Sequence, residues 1–360
     1  MRSKINLVVL TSGFAADETD TTAFPALQMY LGNLQPLCPE IDVKIIAFHY
    51  PFRTGRYHWK GIPVFAAGGS SVKVAKIFLW IRILACLFRI KRKSGIDIIH
   101  AFWLTDTMLL GLLFRLFTRT PLVLTAMGQD VKNENRYLPF MKWFWAEPVF
   151  ISEFQAEYNP ELISKGNFRV IPFGIDPSFY KHDQSVRNTD IIGAGSLNRI
   201  KNYGDFIGIV KSVSRVIPGI SVRIIGEGTE RAEIEKLITE YGLAKIISLA
   251  GELPYGNVIQ EMQSARILLH TSHFEGQGLV ITEALASGAF VVSYPVGIAK
   301  RLNCKKLLTG TTRDELASCL ISLLQKKEAD HSPEIIFSIG DTCRAYIEIY
   351  HTLVTGKKDD

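Results

Sequence analysis

Long apolar runs are missing from this chain. Hydrophobic residues make up 47% of its 360 residues and mean hydropathy is +0.14, yet no stretch approaches the roughly 20 uncharged apolar residues of a spanning helix. A membrane-integral protein is therefore not expected. The amino-terminal segment MRSKINLVVLTSG begins basic but turns polar at Thr11 and Ser12, too early for the apolar core of a signal peptide, and it reads as a first β-strand. Cysteine is sparse: Cys38, Cys86, Cys304, Cys319 and Cys343 show no paired spacing, so neither a zinc site nor a disulfide framework is indicated. A reducing cytoplasm is the expected compartment.

Acidic residues are missing from one long region. Val43 to Ile96 holds 11 basic residues and no acidic one. The net charge of +6 lies wholly in the first half, where 20 Lys and Arg face 14 Asp and Glu; residues 181 to 360 carry 21 of each. Within the basic region, Val72 to Lys93 reads as an apolar helix interrupted by Lys76, Arg82 and Arg89 and closed by Lys91, Arg92 and Lys93. Two readings stay open for it. One is a largely buried helix with a basic end; the other is a surface that rests on an anionic membrane or holds an anionic acceptor. No nucleic-acid recognition motif accompanies the charge.

What is present is a repeating alternation. Strand-like runs at Ile5 to Leu10, Val43 to Phe48, Ile96 to Ala101, Leu122 to Thr125 and Pro148 to Ile151 alternate with helical segments, which predicts a parallel α/β sheet. IPFGID, Ile171 to Asp176, punctuates the chain with Pro and Gly before Pro177 and marks a domain boundary, followed by a polar linker from Lys181 to Thr189. The pattern then restarts at Asp190 to Ala194, Ser221 to Ile225 and Ile246 to Ala250. Helical periodicity resumes over Asp314 to Gln325 and Asp341 to Leu353, and Thr355 to Asp360 form a charged tail. The length suits two domains of ordinary size.

Such sheets bind ligands at the carboxyl edge of their strands. Gly13, just beyond the first strand, is suited to a close phosphate approach or to a plain turn. His100 ends the third run beside Trp103 and Asp106, as a general acid/base, an acceptor contact or a satisfied structural histidine. Asp130 follows the fourth run, either to bind acceptor hydroxyls or to cap the next segment.

The stretch HTSHFEGQGLVITEALASGAFVVSYPVG, His270 to Gly297, reads as strand, glycine-bearing loop, helix and strand. Glu275 sits in the loop and Glu283 about a turn and a half into the helix. Loop amides and a helix N-terminus present unpaired N–H groups that favour an anion. An anion site flanked by two carboxylates fits a sugar nucleotide; an ordinary strand-turn-helix with solvated glutamates is the alternative. Upstream, GSLNRIKN, Gly195 to Asn202, brings Arg199 and Lys201 to the same edge, where two cations can neutralise a leaving diphosphate. No Asp-x-Asp pair occurs, so no metal ligand set is expected.

EGQGLVITEALASG, GSLNRIKN, the RIIGEG turn and IPFGID together resemble the retaining glycosyltransferases of family 4. The resemblance implies the GT-B fold, an α/β architecture of two facing Rossmann-like domains with parallel sheets and a deep interdomain cleft. The first, acceptor-side domain would span 1–174, with a C-terminal helix at about 341–356 packing back on it; the donor domain would span 175–340. The implied activity is metal-independent transfer of a hexosyl group from a nucleoside diphosphate sugar to an acceptor hydroxyl with retention, in polysaccharide or lipid-linked glycan synthesis. No cofactor is implied beyond the sugar nucleotide as co-substrate. Separately from the resemblance, cysteine usage makes the cytoplasm the expected location, and the membrane reading of the basic Val43 to Ile96 region would make the chain peripheral at the inner membrane face.

By the same resemblance Glu283 would hold the ribose and Glu275 the donor sugar. Amides of Gly276, Gln277, Gly278 and Leu279 would bind diphosphate and sugar, and Lys201 would neutralise the diphosphate, with Arg199 as a second cation. Gly13 would lie beside the β-phosphate, Gly226 belongs to the RIIGEG turn, Leu253 would border the base, and His100 and Asp130 would serve the acceptor side. The chain departs from the family pattern at Ser196, where an arginine is usual, and at Phe102 and Met127, where histidines are usual. Those departures keep two alternatives in play: a nucleotide-sugar-binding protein without turnover, and a GT-B sugar-nucleotide epimerase.

Overall fold

A computed structural model describes residues 4–69, 73–143, 148–163, 168–180, 187–326 and 330–356. The start of the proposed linker and the end of the charged tail lie outside these residues. The chain divides into two compact units, Met1–Phe173 with Ile339–Asp360, and Gly174–Ser338.

The first unit is built on β1 (Ile5–Gly13), α1 (Pro25–Leu37), β2 (Ile41–Tyr50), β3 (Thr54–Trp59), β4 (Ile62–Ala67), α2 (Lys73–Ser94), β5 (Ile98–Phe102), α3 (Asp106–Thr118), β6 (Leu122–Thr125), α4 (Leu138–Trp143), β7 (Pro148–Phe150), α5 (Glu153–Tyr158) and β8 (Arg169–Val170). Its eight strands run in the order β3-β4-β2-β1-β5-β6-β7-β8. All neighbours are parallel except β3 and β4. That antiparallel hairpin is an addition to the expected strands. Its turn is Lys60-Gly61, both at positive φ (46° and 79°) between the paired Trp59 and Ile62. Two residues in the left-handed region give the backbone twist a two-residue hairpin needs, and lysine in the first position hides the usual Asn-Gly signal.

The second unit comprises β9 (Thr189–Ala194), α6 (Tyr203–Val216), β10 (Val222–Ile225), α7 (Arg231–Glu240), β11 (Ile247–Leu249), α8 (Tyr255–Gln263), β12 (Ala265–His270), α9 (Leu279–Ala286), β13 (Phe290–Ser293), β14 (Leu307–Thr309) and α10 (Arg313–Leu324). Its six strands are parallel in the order β11-β10-β9-β12-β13-β14. Period-two alternation divides the strand side chains between two cores. Ile191, Ile267, Leu269 and Val292 pack with α6, α7 and α10. Ile192, Leu268 and Val291 pack with α8 and α9. The strand order turns from β9 to β12, and it is beyond the carboxyl ends of these central strands that the two glutamates fall.

α11 (Ile339–Thr355) returns to the first unit. Tyr346 and Tyr350 on its inner face are fully buried. Tyr350 Oη lies 2.7 Å from Tyr30 Oη of α1 and 2.5 Å from His100 Nδ1, while Tyr346 Oη lies 2.9 Å from Thr125 Oγ1. No helix of the described residues is long and apolar enough to cross a membrane.

Candidate nucleotide-sugar site

The site grows from the end of β12. Five of the six residues of this central strand are buried, so the chain leaves the sheet at a defined point, and the next residues are stapled to the loop after β9. Thr271 Oγ1 donates to the carbonyls of Lys201 (3.0 Å) and Asn202 (3.1 Å), and the His273 amide donates to Ile200 O at 2.9 Å. These bonds set the two loops side by side and deliver Lys201 to Glu275, Nζ to Oε1 at 2.6 Å. The same carboxylate oxygen lies 3.1 Å from His270 Nε2. On the other side of the ring, Nδ1 lies 2.9 Å from Ser293 Oγ, whose own hydrogen goes to Tyr294 O at 2.7 Å. Both ring nitrogens thus face oxygen atoms, which fixes the ring beside Glu275. Burial alone would raise the Glu275 carboxyl, but the Lys201 ammonium and the His270 ring outweigh it and hold it well below the usual carboxylate range. Glu275 is therefore an ionised, oriented acceptor.

The Glu283 carboxyl is shifted in the opposite direction. It sits in α9 at 7% exposure, and burial pushes it up to about 7 against a hydrogen bond from Tyr255 and the charge of Lys201. Tyr255 Oη is in turn 3.2 Å from Tyr180 Oη. A carboxyl poised near neutrality in a buried site, beside an ionised one, is a usual mark of a binding centre. Between the two glutamates, Gly276, Gln277 and Gly278 are buried and Gly278 caps the N-terminus of α9, so the helix's unpaired amides and partial positive charge open next to Glu275.

Glycine is obligatory where neighbouring loops meet this one. A Cβ on Gly297 would stand 2.2 Å from Gln277 O and 3.0 Å from the Glu275 Cβ, and Ile298 N donates to that same Gln277 carbonyl at 2.8 Å. Gly226, at φ 140°, approaches so closely that a Cβ would lie 2.0 Å from Gly195 O. Its amide reaches Gly251 O at 2.8 Å, while the Gly195 amide reaches Ile225 O at 3.0 Å. The loops after β9, β10 and β11 are interlocked through backbone. Leu253 follows this junction, half-buried against the α8–α9 core.

Lys201, Glu275, Glu283 and the 276–279 segment are therefore gathered in one unit. Arg199 is exposed, and among the described residues it makes no hydrogen bond or ion pair. The first-unit residues need correction. His100 stands in the middle of β5, not at its end, and is fully buried. Its two nitrogens are taken by Tyr350 and Thr125 (Nε2 to Oγ1, 2.7 Å), its ring stacks on Phe102 at 3.9 Å, and burial holds it down at about 3. It is a neutral structural histidine with no face for an acceptor. Asp130 is likewise buried and accepts from the amides of Leu104 (2.8 Å), Met127 (3.1 Å) and Gly128 (2.7 Å), so it knits two loops together and does not reach for acceptor hydroxyls. Gly13 belongs to β1 itself, and the space beside its Cα is filled by the Phe24 ring, 2.3 Å from where a Cβ would stand. Its glycine identity answers to Phe24 packing.

His270, Ser293, Tyr255 and Tyr180 were not signalled by the sequence motifs. His270 alone had a local cue, as the last residue of the strand that feeds the Glu275 loop.

Two Rossmann-like units with an ionised and a near-neutral glutamate at the carboxyl edge of the second define a protein of the GT-B class. Residues 177–334, which lie within the second unit, match the family described as Glycosyl transferases group 1. Among curated relatives, it is 24% identical over 283 residues to the MMP alpha-(1->4)-mannosyltransferase of Mycolicibacterium hassiacum, covering 70% of this chain and 66% of the relative. It is 26% identical over 226 residues to the amylovoran biosynthesis glycosyltransferase AmsD of Erwinia amylovora, covering 60% and 61%. The matches thus span just under two thirds of these relatives. Among solved structures, a sucrose-phosphate synthase from Thermosynechococcus elongatus superimposes with a TM-score of 0.80 at 15% identity, over 98% of this chain and 100% of that one. HepE of Anabaena, solved with UDP and glucose, gives 0.68 at 17% identity, over 98% of both chains. These likenesses establish the fold.

Proposed function

We propose that the chain transfers a hexosyl group from a nucleoside diphosphate sugar to an acceptor hydroxyl, with retention of configuration, in the synthesis of a polysaccharide or glycolipid. The observation that carries this reading is the Lys201–Glu275 pair at 2.6 Å beside the N-terminus of α9, with Glu283 buried further along that helix. The names of the relatives and the UDP bound to HepE support the same class of chemistry.

In this reading Glu283 accepts hydrogen bonds from the ribose and Glu275 from hydroxyls of the sugar. Lys201 and the 276–279 amides stabilise the diphosphate as it leaves, by charges already in place before reaction. The bond from the anomeric carbon to the phosphate oxygen breaks, the acceptor oxygen bonds to the same face, and the acceptor's proton passes to the departing diphosphate. No carboxylate nucleophile and no metal ligand set is called on. Leu253 forms an apolar wall for the base.

The test is nucleotide release from a panel of nucleoside diphosphate sugars, with and without acceptors. Lys201→Ala and Glu275→Ala are each expected to lower kcat/KM by at least about 100-fold, the scale of losing one preorganised stabilising group. Turnover within twofold of wild type for both would sink the assignment. Donor binding without transfer would favour a binding protein, and donor interconversion without acceptor an epimerase.

A further inference from the structure

The basic region of the first unit admits two readings, a buried helix or an anion-binding surface, and side-chain exposure separates them. With about 100° per residue around a helix, Ile77, Phe88, Ile81, Ala85 and Phe78 of α2 fall in succession on one arc, and all of them are exposed. Ile77, Phe78 and Ile81 are 58%, 64% and 58% exposed. Leu79, Ile83, Cys86 and Leu87 occupy the opposite side and are buried. The helix is thus apolar inward and apolar outward, and the outer stripe is not isolated. The Phe88 ring packs against Phe114 of α3 at 5.0 Å, and one turn further along α3 Phe117 is 70% exposed, between exposed Arg115 and Arg119.

Basic residues border this stripe. Arg82, Arg89 and Lys93 follow Phe78 around α2, with Arg92 inside the apolar arc, and all four are exposed. Arg82 is tied to Ala67 O at 2.9 Å and Thr54 Oγ1 at 2.8 Å. Arg89, Arg92 and Lys93 have no ion-pair partner among the described residues. At the basic end of the helix a cavity of about 350 Å³ opens toward β2, β3 and β4, lined by Lys44, Arg56, His58, Arg89 and Lys93. Lys44 is paired with Asp42; the lining holds no carboxylate.

We infer that this face of α2 and the end of α3 dock on an anionic lipid surface, with Ile77, Phe78, Ile81 and Phe117 entering the interface and Arg89, Arg92 and Lys93 holding lipid phosphates. An apolar patch rimmed by cations carries the two signals that together give stable interfacial binding. Charge complementarity selects this occupant: a second copy of the chain would bring the same unpaired cations to the same face. The inference does not depend on the donor chemistry.

The experiment is co-sedimentation of the full chain with vesicles of neutral phosphatidylcholine or of phosphatidylcholine with phosphatidylglycerol, at low and high salt. Binding to anionic vesicles alone, weakening with salt, is expected. The triple change Arg89→Gln, Arg92→Gln, Lys93→Gln should weaken it by about 100-fold, since each basic residue near the surface contributes roughly 1 kcal/mol, or about fivefold. Phe78→Ser with Ile81→Ser should weaken binding that survives high salt. Should either variant fold poorly, the salt and lipid dependence of the wild type decides by itself. No binding at low salt, or equal binding to neutral vesicles, overturns the inference. So does a concentration-dependent dimer abolished by Phe78→Ser with Ile81→Ser in a protein that ignores vesicles.

Discussion

Replacing Glu283 with glutamine removes a buried carboxyl while keeping its size and its acceptor oxygen for Tyr255. Burial lifts this group from its ordinary 4.5 to about 7, so between those values the folded chain binds more protons at this position than the unfolded chain. Stability must then fall as pH rises from about 4.5 and level off above about 7. The shift of about 2.5 units corresponds to a penalty of about 3 kcal/mol fully present at pH 8 and of under about 1 kcal/mol at pH 5. Any cost from the unpaired amide hydrogens of glutamine is the same at both pH values and cancels in the comparison. The stability difference between Glu283→Gln and wild type should therefore favour the variant by about 2.5 kcal/mol more at pH 8 than at pH 5. Denaturant unfolding of the full chain at the two pH values measures it. The same logic predicts that donor hydroxyls, which favour the ionised form, release a proton on binding near pH 7, visible as a buffer-dependent heat. A pH-independent difference between the two proteins would refute both the raised carboxyl and the reasoning from its burial.

Two further changes separate scaffold from site. Gly226→Ala places a methyl against the Gly195 carbonyl at 2.0 Å and a side chain at φ 140°, so it should cost at least about 2 kcal/mol by thermal unfolding and loosen donor binding with it. His100 is held neutral down to about 3, whereas in the unfolded chain it takes a proton near 6.5. Stability is thus lost as pH falls through 6.5, by about 3 kcal/mol at pH 4.5 relative to pH 8. His100→Gln should flatten that acid limb, and an unchanged acid limb would show that the ring is solvated in the folded protein.

The alternation of strands and helices was legible because parallel strands buried on both faces are short, apolar and evenly spaced, as in Ile191–Ile192 and Leu268–Leu269. The hairpin of β3 and β4 was not, since its turn is Lys60-Gly61 and its second strand carries Pro63, both read locally as breakers. The two-glutamate loop was legible because spacing along one strand-loop-helix unit is a local property. What sequence spacing does not carry is the environment of each group. Glu275 and Glu283 are chemically alike in the chain. They differ because Lys201, 74 residues away, reaches one of them, while the other is enclosed against Tyr255.

His100 shows the same limit from the other side. Its position near the end of an apolar run is compatible with an open strand edge or a closed core, and only the arrival of α11 from the far end of the chain, with Tyr346 and Tyr350, encloses it. The outer face of α2 is a further case, for the hydrophobicity of Ile77 to Ile81 is written in the sequence but its exposure is not. By itself the sequence determined the two-unit α/β architecture and the carboxylate motif at the edge of the second sheet, because periodicity and short spacings act within a single element. Tertiary structure alone decided which titratable groups are ionised, which are entombed and which apolar residues remain outside, because charge state and burial depend on atoms that distant segments bring within a few ångströms.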